Sequence, residues 1–224
     1  MHPLRLWRQW FLDPRAPEAR MMLRLREGGI DDRRVLAAMA TVRREHFVAA
    51  ELGSEAYADR PLPIGDGQTI SQPLMVATLV GALQLEGGER VLDVGTGSGY
   101  QAAVLARCGA RVTSVERLPG LVRSARERLD RLGYDVEVVQ GDGSTGWPPM
   151  APYDAIVVAA RAPRLPEGLT EQLAEGGRLV VPLARGEADV LIRIRRTGSG
   201  LERAELGPCR FVPLIGEQGY PEER

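Results

Sequence analysis

The residues with the clearest chemical use form a glycine-rich turn after a short apolar run at 91–94. Gly95, Gly97 and Gly99 alternate with polar residues there, and glycine allows a positive φ and a close approach of the backbone to a ligand. A dinucleotide fingerprint needs a glycine at position 100, where Tyr100 stands, and no Lys-Ser/Thr pair follows as in a phosphate-binding P-loop. The turn therefore predicts a site for a nucleoside without a pyrophosphate.

Three acidic residues stand at the ends of successive predicted strands. Asp93 precedes the glycine turn, Glu116 ends the second strand, and Asp142 ends the third, between Gly141 and Gly143. A carboxylate at the end of the second strand can accept both ribose hydroxyls, and Asp142 is placed to accept an adenine amino group. Any one of them could be a surface charge or a turn former. All three with the glycine turn favour S-adenosylmethionine, which has no pyrophosphate for a helix N-terminus to bind.

Alternating elements must position these residues. From residue 75 to 183, short runs rich in β-branched residues alternate with helical stretches, which indicates βαβ units and a parallel sheet with helices on both faces. Two further extended runs, 189–196 and 208–215, predict an antiparallel hairpin at the sheet edge. The predicted fold class is α/β, a doubly wound, seven-stranded, mostly parallel sheet.

The N-terminal part, residues 1–53, is predicted as an arm and a helical cap. Residues 1–15 are expected to form an irregular arm, and a helix with apolar spacing from residue 17 ends at Gly28 and Gly29. A second helix follows an N-cap at Asp31 or Asp32. The turn-rich stretch 54–73 is predicted as a long functional loop over the substrate.

Composition and charge exclude several classes of function. The 29 basic residues, all arginine, nearly balance 30 acidic ones, for a net charge of −1. Catalysis by a lysine Schiff base is therefore excluded, and the basic surplus of a nucleic-acid-binding protein is absent. No apolar run reaches the roughly 18 residues of a membrane span. We expect no nucleic-acid partner and no membrane partner.

Cysteine usage and the N-terminus indicate a location. Cys108 and Cys209 are too few and too far apart for a disulfide framework or a zinc site. The first fifteen residues lack the apolar core of a secretory signal. We expect a cytoplasmic protein without a bound metal, acting as a monomer.

The functional prediction becomes more specific with the segment at 63–73, which reads Pro-Ile-Gly-Asp-Gly-Gln-Thr-Ile-Ser-Gln-Pro. With it, the chain resembles the protein-L-isoaspartate O-methyltransferases over about residues 22 to 217, and the stretches 44–48, 141–143, 152–156 and 210–214 also look like that family. The resemblance implies a Rossmann-like methyltransferase domain over 54–224 that uses S-adenosylmethionine, releases S-adenosylhomocysteine and needs no metal. The implied partners are isoaspartyl-containing proteins and peptides.

The resemblance also implies the site residues. The serine matching Ser71 is the active-site residue of the family, and the loop from Thr69 to Gln72 covers the cofactor. Combined with the strand-end residues, the predicted catalytic residue is Ser71, and the predicted cofactor-binding residues are Thr69, Ile70, Ser71, Gln72, Asp93, Gly95, Gly97, Glu116, Asp142 and Gly143.

The implied reaction is methylation of the free α-carboxylate of an isoaspartyl residue. The pKa of an α-carboxyl group is about 3.5, so the nucleophile is ionised at neutral pH without a general base. Ser71 would donate a hydrogen bond that orients this carboxylate; the alternative is an ST-turn or a cap for the helix near Pro73. The methyl ester would then collapse to a succinimide and hydrolyse partly to normal aspartate.

Two departures and three alternatives accompany this prediction. Arg161 stands where family members usually carry a small residue, which leaves substrate preference open, and residues 217–224 extend the usual C-terminus. The alternatives are a small-molecule or single-peptide methyltransferase, a nucleic-acid methyltransferase, and a module that senses the cofactor without catalysis. The nucleic-acid enzyme would need an Asn/Asp-Pro-Pro-aromatic motif after the fourth strand, where residues 160–163 read Ala-Arg-Ala-Pro.

Overall fold

The computed structural model of the chain describes residues 15–186 and 188–222, so nearly all of the predicted arm, residues 1–14, lies outside the described residues. The helices within them are α1 (Pro17–Glu27), α2 (Arg33–Thr41), α3 (Pro73–Ala82), α4 (Tyr100–Arg107), α5 (Pro119–Leu132) and α6 (Glu167–Glu171). Short 3-10 helices span Arg44–Phe47, Ala50–Glu55, Gly143–Thr145 and Pro148–Met150. The strands are β1 (Leu62–Gly65), β2 (Gln68–Ile70), β3 (Arg90–Val94), β4 (Arg111–Glu116), β5 (Val136–Gln140), β6 (Tyr153–Val158), β7 (Leu173–Arg185), β8 (Ala188–Thr197) and β9 (Gly200–Cys209).

The main sheet has seven strands in the order β5-β4-β3-β6-β7-β8-β9. The five strands from β5 to β7 run parallel, and β8 and β9 follow as an antiparallel pair. The predicted doubly wound, mostly parallel sheet with a C-terminal hairpin is therefore confirmed. Because the chain leaves β3 toward β4 and later returns to its other side at β6, a crevice opens at the carboxyl ends of these strands.

Burial of both faces explains the apolar character of the central strands. On β3 and β6, Val91 and Val157 pack into one buried cluster, while Leu92 and Ile156 pack into a second cluster on the opposite face. All four side chains are fully buried. Successive residues of a strand point to opposite faces, so a parallel strand covered on both sides needs apolar residues at nearly every position.

The N-terminal helices pack into the first of these clusters. Met21 and Leu25 of α1 and Met39 of α2 are buried in it beside residues of the sheet. The predicted N-cap of α2 is confirmed, since Asp32 Oδ1 accepts hydrogen bonds from the backbone N–H groups of Arg34 and Val35 at 2.8 and 3.1 Å. The helical cap thus shares a continuous core with the sheet.

The prediction of an irregular loop over 54–73 was wrong in part. Residues 62–70 form a two-stranded antiparallel hairpin, in which Leu62 pairs with Ile70 and both side chains are buried. Its turn has positive φ at Asp66 (49°) and Gly67 (69°), which is the backbone that an Asp-Gly pair favours between two strands. The turn signal was present in the sequence, but the flanking runs are too short and too rich in proline to suggest strands.

The second strand of the C-terminal hairpin also differs from the prediction. β9 already begins at Gly200, directly after the two turn residues 198–199, and the predicted run 208–215 mostly leaves the sheet. β9 lies at the sheet edge and is largely exposed. Its sequence therefore lacks the alternating apolar residues that predict a strand. The helix α6 is only five residues long, because residues from 173 onward join β7.

The difference in burial between the central strand and the edge strand of this sheet can be tested by two substitutions. Leu92→Ala removes a fully buried side chain from the central strand and should lower the free energy of unfolding by about 2–5 kcal/mol. Leu201→Ala makes the same chemical change on β9, where the side chain is 49% exposed, and should change it by about 0.5 kcal/mol or less. Denaturant unfolding of both variants measures the difference, and equal losses would contradict this assignment of the core.

Candidate active site

A cavity lies at the carboxyl ends of β3, β4 and β6, where the strand order reverses. It is open to solvent, and its empty space including the open mouth is about 830 Å³. Its wall consists of residues 68–71, 76, 94–98, 100–101, 115–118, 143, 159–160 and 212–215. One site therefore brings together the glycine turn, the end of the 62–70 hairpin and the C-terminal segment around residues 212–215.

The glycine turn is closed onto the end of β4. Gly95, Gly97 and Gly99 all have positive φ, at 95°, 52° and 88°, so the predicted need for glycine is met at each position. The Gly95 N–H donates to the Val115 carbonyl at 2.9 Å. The Gly97 N–H donates to Glu116 Oε2 at 3.0 Å, and the turn thereby holds the strand-end carboxylate against the cavity.

Glu116 lies in the cavity wall and bridges two loops. Its Oε2 accepts the Gly97 N–H, and its Oε1 accepts the Leu118 N–H at 3.0 Å, at the start of α5. The side chain is nearly buried. A carboxylate has about four acceptor positions, so two backbone bonds leave capacity for two ligand hydroxyls. The geometry suits the ribose contact predicted from the sequence.

Asp93 is fully buried beneath the turn and does not line the cavity. Its Oδ1 accepts a hydrogen bond from the Gln101 side chain at 2.8 Å, and its Oδ2 accepts one from the Ser114 hydroxyl at 2.7 Å. Burial raises the pKa of Asp93 to about 6, these hydrogen bonds oppose the rise, and the charge of Glu116 adds to it. Asp93 therefore supports the turn from β4 and α4, and its direct cofactor contact stays a prediction.

The end of the hairpin supplies Thr69, Ile70 and Ser71 to the cavity wall. No group of the described residues hydrogen-bonds the Ser71 hydroxyl. The cap of α3 is Gln72, without a side-chain cap bond, so Ser71 does not take the helix-cap role weighed as its alternative. Gln72 itself turns away, and its side-chain amide donates to Asp59 Oδ2 at 3.4 Å.

Gly143 lines the cavity, whereas Asp142 faces an adjoining one. Asp142 Oδ1 accepts the Ser144 N–H at 2.9 Å, and Oδ2 accepts the Glu217 N–H at 2.7 Å. Arg117 and Ile215 border both cavities. Asp142 thus lies next to the main cavity and is already held by the C-terminal segment, and its adenine contact stays a prediction.

Seven of the ten predicted cofactor-binding residues therefore come together in one wall: Thr69, Ile70, Ser71, Gly95, Gly97, Glu116 and Gly143. Gln72, Asp93 and Asp142 do not line it. Sequence reasoning missed Gln101, Ser114 and Asp59, which hold predicted residues in place. Gln101 lies two residues after Gly99, in the first turn of α4, and this closeness to the glycine turn could have identified it. The sequence around Ser114 and Asp59 contains no comparable signal.

Arg161 ties the C-terminal segment to the cavity rim. Its backbone N–H donates to the Val212 carbonyl, and its carbonyl accepts the Leu214 N–H, both at 2.8 Å. Its guanidinium lies 3.5 Å from Asp189 and 5.1 Å from the centre of the Tyr220 ring. The predicted C-terminal extension, as far as residue 222, therefore folds back against Arg161 and borders the adjoining cavity.

Two other features bear on the predicted ligands and partners. Among residues 15–186 and 188–222, no group of three or more His, Cys, Asp or Glu side chains is arranged to hold a metal ion. In the same residues, no helix has both the length and the apolar character needed to cross a membrane.

Comparison with known proteins decides the family. The family model described as protein-L-isoaspartate(D-aspartate) O-methyltransferase matches residues 16–219. The chain belongs to this family. The resemblance predicted from the 63–73 segment is thus confirmed over almost the whole chain.

Curated family members from distant organisms are similar along most of their length. A protein-L-isoaspartate O-methyltransferase of Methanoculleus marisnigri is 50% identical over 210 residues, which cover 93% of this chain and 96% of that protein. One of Anaeromyxobacter dehalogenans is 55% identical over 190 residues, covering 83% of this chain and 91% of that protein.

Solved structures of family members share the fold. A protein-L-isoaspartate O-methyltransferase structure superposes with a TM-score of 0.82 at 31% identity, covering 90% of this chain and 67% of that one. A family structure from Plasmodium falciparum, in complex with S-adenosyl-L-homocysteine, gives a TM-score of 0.76 at 29% identity and covers 87% and 96% of the two chains.

The buried Asp93 makes stability depend on pH. An acid whose pKa is raised in the folded state costs stability as pH rises through the window from 3.8 to about 6. Asp93→Asn removes that charge. As pH rises through this window, the free energy of unfolding of the variant minus that of the parent should therefore increase by up to roughly 3 kcal/mol and then level off.

Denaturant unfolding at several pH values from about 4 to 7 measures this difference. Asp31→Asn, at an exposed aspartate just before α2, controls for the substitution itself. A stability difference between Asp93→Asn and the parent that stays flat across the window would contradict the buried, charge-destabilised state of Asp93.

Proposed function

We propose that this chain transfers a methyl group from S-adenosylmethionine to the free α-carboxylate of L-isoaspartyl residues in damaged proteins and peptides. The methyl ester then collapses to a succinimide, which hydrolyses partly to normal aspartate. The observation that carries the proposal is the meeting of Ser71, with its hydroxyl unused by the described residues, and the Glu116-braced glycine turn in one cavity. The family membership supports the same reaction.

The cavity residues fit S-adenosylmethionine. We assign the ribose hydroxyls to Glu116, whose two oxygens keep acceptor capacity beside the Gly97 and Leu118 bonds. The glycine turn offers a backbone wall without side chains. The adenine is assigned to the adjoining cavity, where Asp142 keeps one further acceptor position on each oxygen. The bound cofactor supplies an electrophilic methyl group on a sulfonium.

Ser71 would orient the substrate carboxylate by donating a hydrogen bond. That carboxylate is ionised at neutral pH, so the cavity needs no general base. One carboxylate oxygen bonds to the methyl carbon, the methyl–sulfur bond breaks, and its electron pair stays on the sulfur of S-adenosylhomocysteine. Opposite charges cancel in this step, and water stabilises the separated charges more than the transition state. Covering of the cavity by residues 68–71 therefore favours the reaction.

Peptide recognition is assigned to the loops around the mouth of the cavity. These are residues 63–72, 159–164 and 210–214, whose main-chain groups can pair with an extended peptide. The Arg161 backbone already pairs with Val212 and Leu214, which makes this rim a preformed edge. The proposed partners are isoaspartyl-containing proteins and peptides, without nucleic acid.

We also propose a monomer in a reducing, cytoplasmic compartment. Cys108 and Cys209 are both free thiols. Burial raises the pKa of Cys108 to about 12 and that of Cys209 to about 11, so both stay protonated and unreactive at neutral pH. Free, inert thiols are typical of proteins kept in a reducing compartment.

Substrate selectivity tests the reaction. We expect transfer of label from S-adenosylmethionine to a peptide that contains an L-isoaspartyl residue, and none above background to the same peptide with normal aspartate. In the normal residue, the free carboxylate is on the side chain and the backbone follows a different path. Equal labelling of both peptides would contradict the repair function, and labelling of neither would leave the cofactor-sensing alternative.

Ser71→Ala separates catalysis from cofactor binding. Loss of a hydrogen bond to a charged group costs about 1.5–3 kcal/mol, so kcat for the isoaspartyl peptide should fall about 10- to 100-fold. The Kd of S-adenosylhomocysteine, measured by calorimetry, should stay nearly constant. Ser54→Ala, at an exposed serine outside the cavity wall, is the matched control. A rise in Kd as large as the fall in kcat would contradict the orienting role.

A further inference from the structure

The backbone that follows Ser71 is held by one carboxylate from outside the site. Asp59 Oδ1 accepts the Leu74 N–H at 2.9 Å, and Asp59 Oδ2 accepts the Gln72 side-chain amide at 3.4 Å. Pro73, between them, has no N–H to donate. Asp59 therefore fixes both the residue next to Ser71 and the first available N–H of α3.

A buried cation holds the chain just before Asp59. Arg44 is fully buried, and its Nε donates to the Ala56 carbonyl at 2.7 Å. Its two terminal nitrogens have no hydrogen-bond partner among the described residues. Burial lowers the pKa of the Arg44 guanidinium, and the Tyr100 side chain and the negative charge of Asp59 oppose this. Through the Ala56 carbonyl, Arg44 holds the chain three residues before Asp59.

The same arginine contacts the floor of the cavity. Its guanidinium carbon lies 4.8 Å from the centre of the Tyr100 ring, within the range of a cation–π interaction, and Tyr100 belongs to the cavity wall. Arg44 thus links Tyr100 of the cavity wall to the chain at Ala56, three residues before Asp59. Nothing in the proposed reaction uses either charge directly.

We propose that Asp59 is a positioning residue for methyl transfer, which holds the backbone after Ser71 so that the serine hydroxyl stays directed into the cavity. This inference rests on the proposed function of Ser71. The competing explanation is that Asp59 only caps α3, and a cap is worth about 1 kcal/mol of stability. A cap alone would affect folding but not the action of Ser71.

The test compares two aspartates that each accept two hydrogen bonds at a helix start. Asp59→Ala removes the bonds to Gln72 and Leu74, and Asp32→Ala removes those to Arg34 and Val35 at α2, outside the cavity wall. Both variants should lower Tm. Only Asp59→Ala should lower kcat, by about 10- to 100-fold, the size expected when a reacting group is misplaced.

A double-mutant cycle on kcat distinguishes a positioning role of Asp59 from a purely structural one. If Asp59 acts through Ser71, Asp59→Ala should lower kcat in the parent but have little further effect in the Ser71→Ala background. Multiplicative effects, or a loss of kcat no larger than that of Asp32→Ala at matched Tm, would overturn the inference. In that case Ser71→Ala still reports on the proposed function. A Ser71→Ala variant with full kcat would overturn both.

Discussion

The site depends on a buried carboxylate placed where the sheet reverses its strand order. Asp93, at the end of the central strand, binds Gln101 of α4 and Ser114 of β4. Ser114 also shares a hydrogen bond with Thr96 of the glycine turn, at 2.6 Å. Strand, turn and helix are thus joined beneath the cavity. An unsatisfied carboxylate would be costly there, so the network favours one arrangement of the turn.

A second layer of polar contacts shapes the cavity from outside. Glu116 joins the glycine turn to α5, and Asp142 joins the end of β5 to the C-terminal segment. That segment is closed further by the Arg117–Glu222 ion pair at 2.9 Å and by Arg161 beside Tyr220. Exposed ion pairs contribute little to stability individually. Their effect here is geometric, because they tie Tyr220 and Glu222 of the C-terminal segment to residues beside the cavity.

Much of the fold was predictable from local patterns. Alternating apolar runs and helical stretches indicated the parallel sheet, and Asp32 indicated the start of α2. Predictions failed for the hairpin at 62–70, whose strands are short and proline-rich, and for β9, which is an exposed edge strand. Neither stretch contains enough alternating apolar residues to indicate a strand.

By itself, the sequence determined the family, the fold class and which segments reach the site, because the glycine turn, the strand ends and the 63–73 segment are local in the chain. Only the tertiary structure decided which side chains face the cavity. Asp93 is turned inward, Gln72 is held by Asp59, and Asp142 is held by Glu217, 75 residues away. Such orientations follow from contacts between distant segments and from the need to satisfy buried polar groups. The spacing of residues along the chain predicts neither of these.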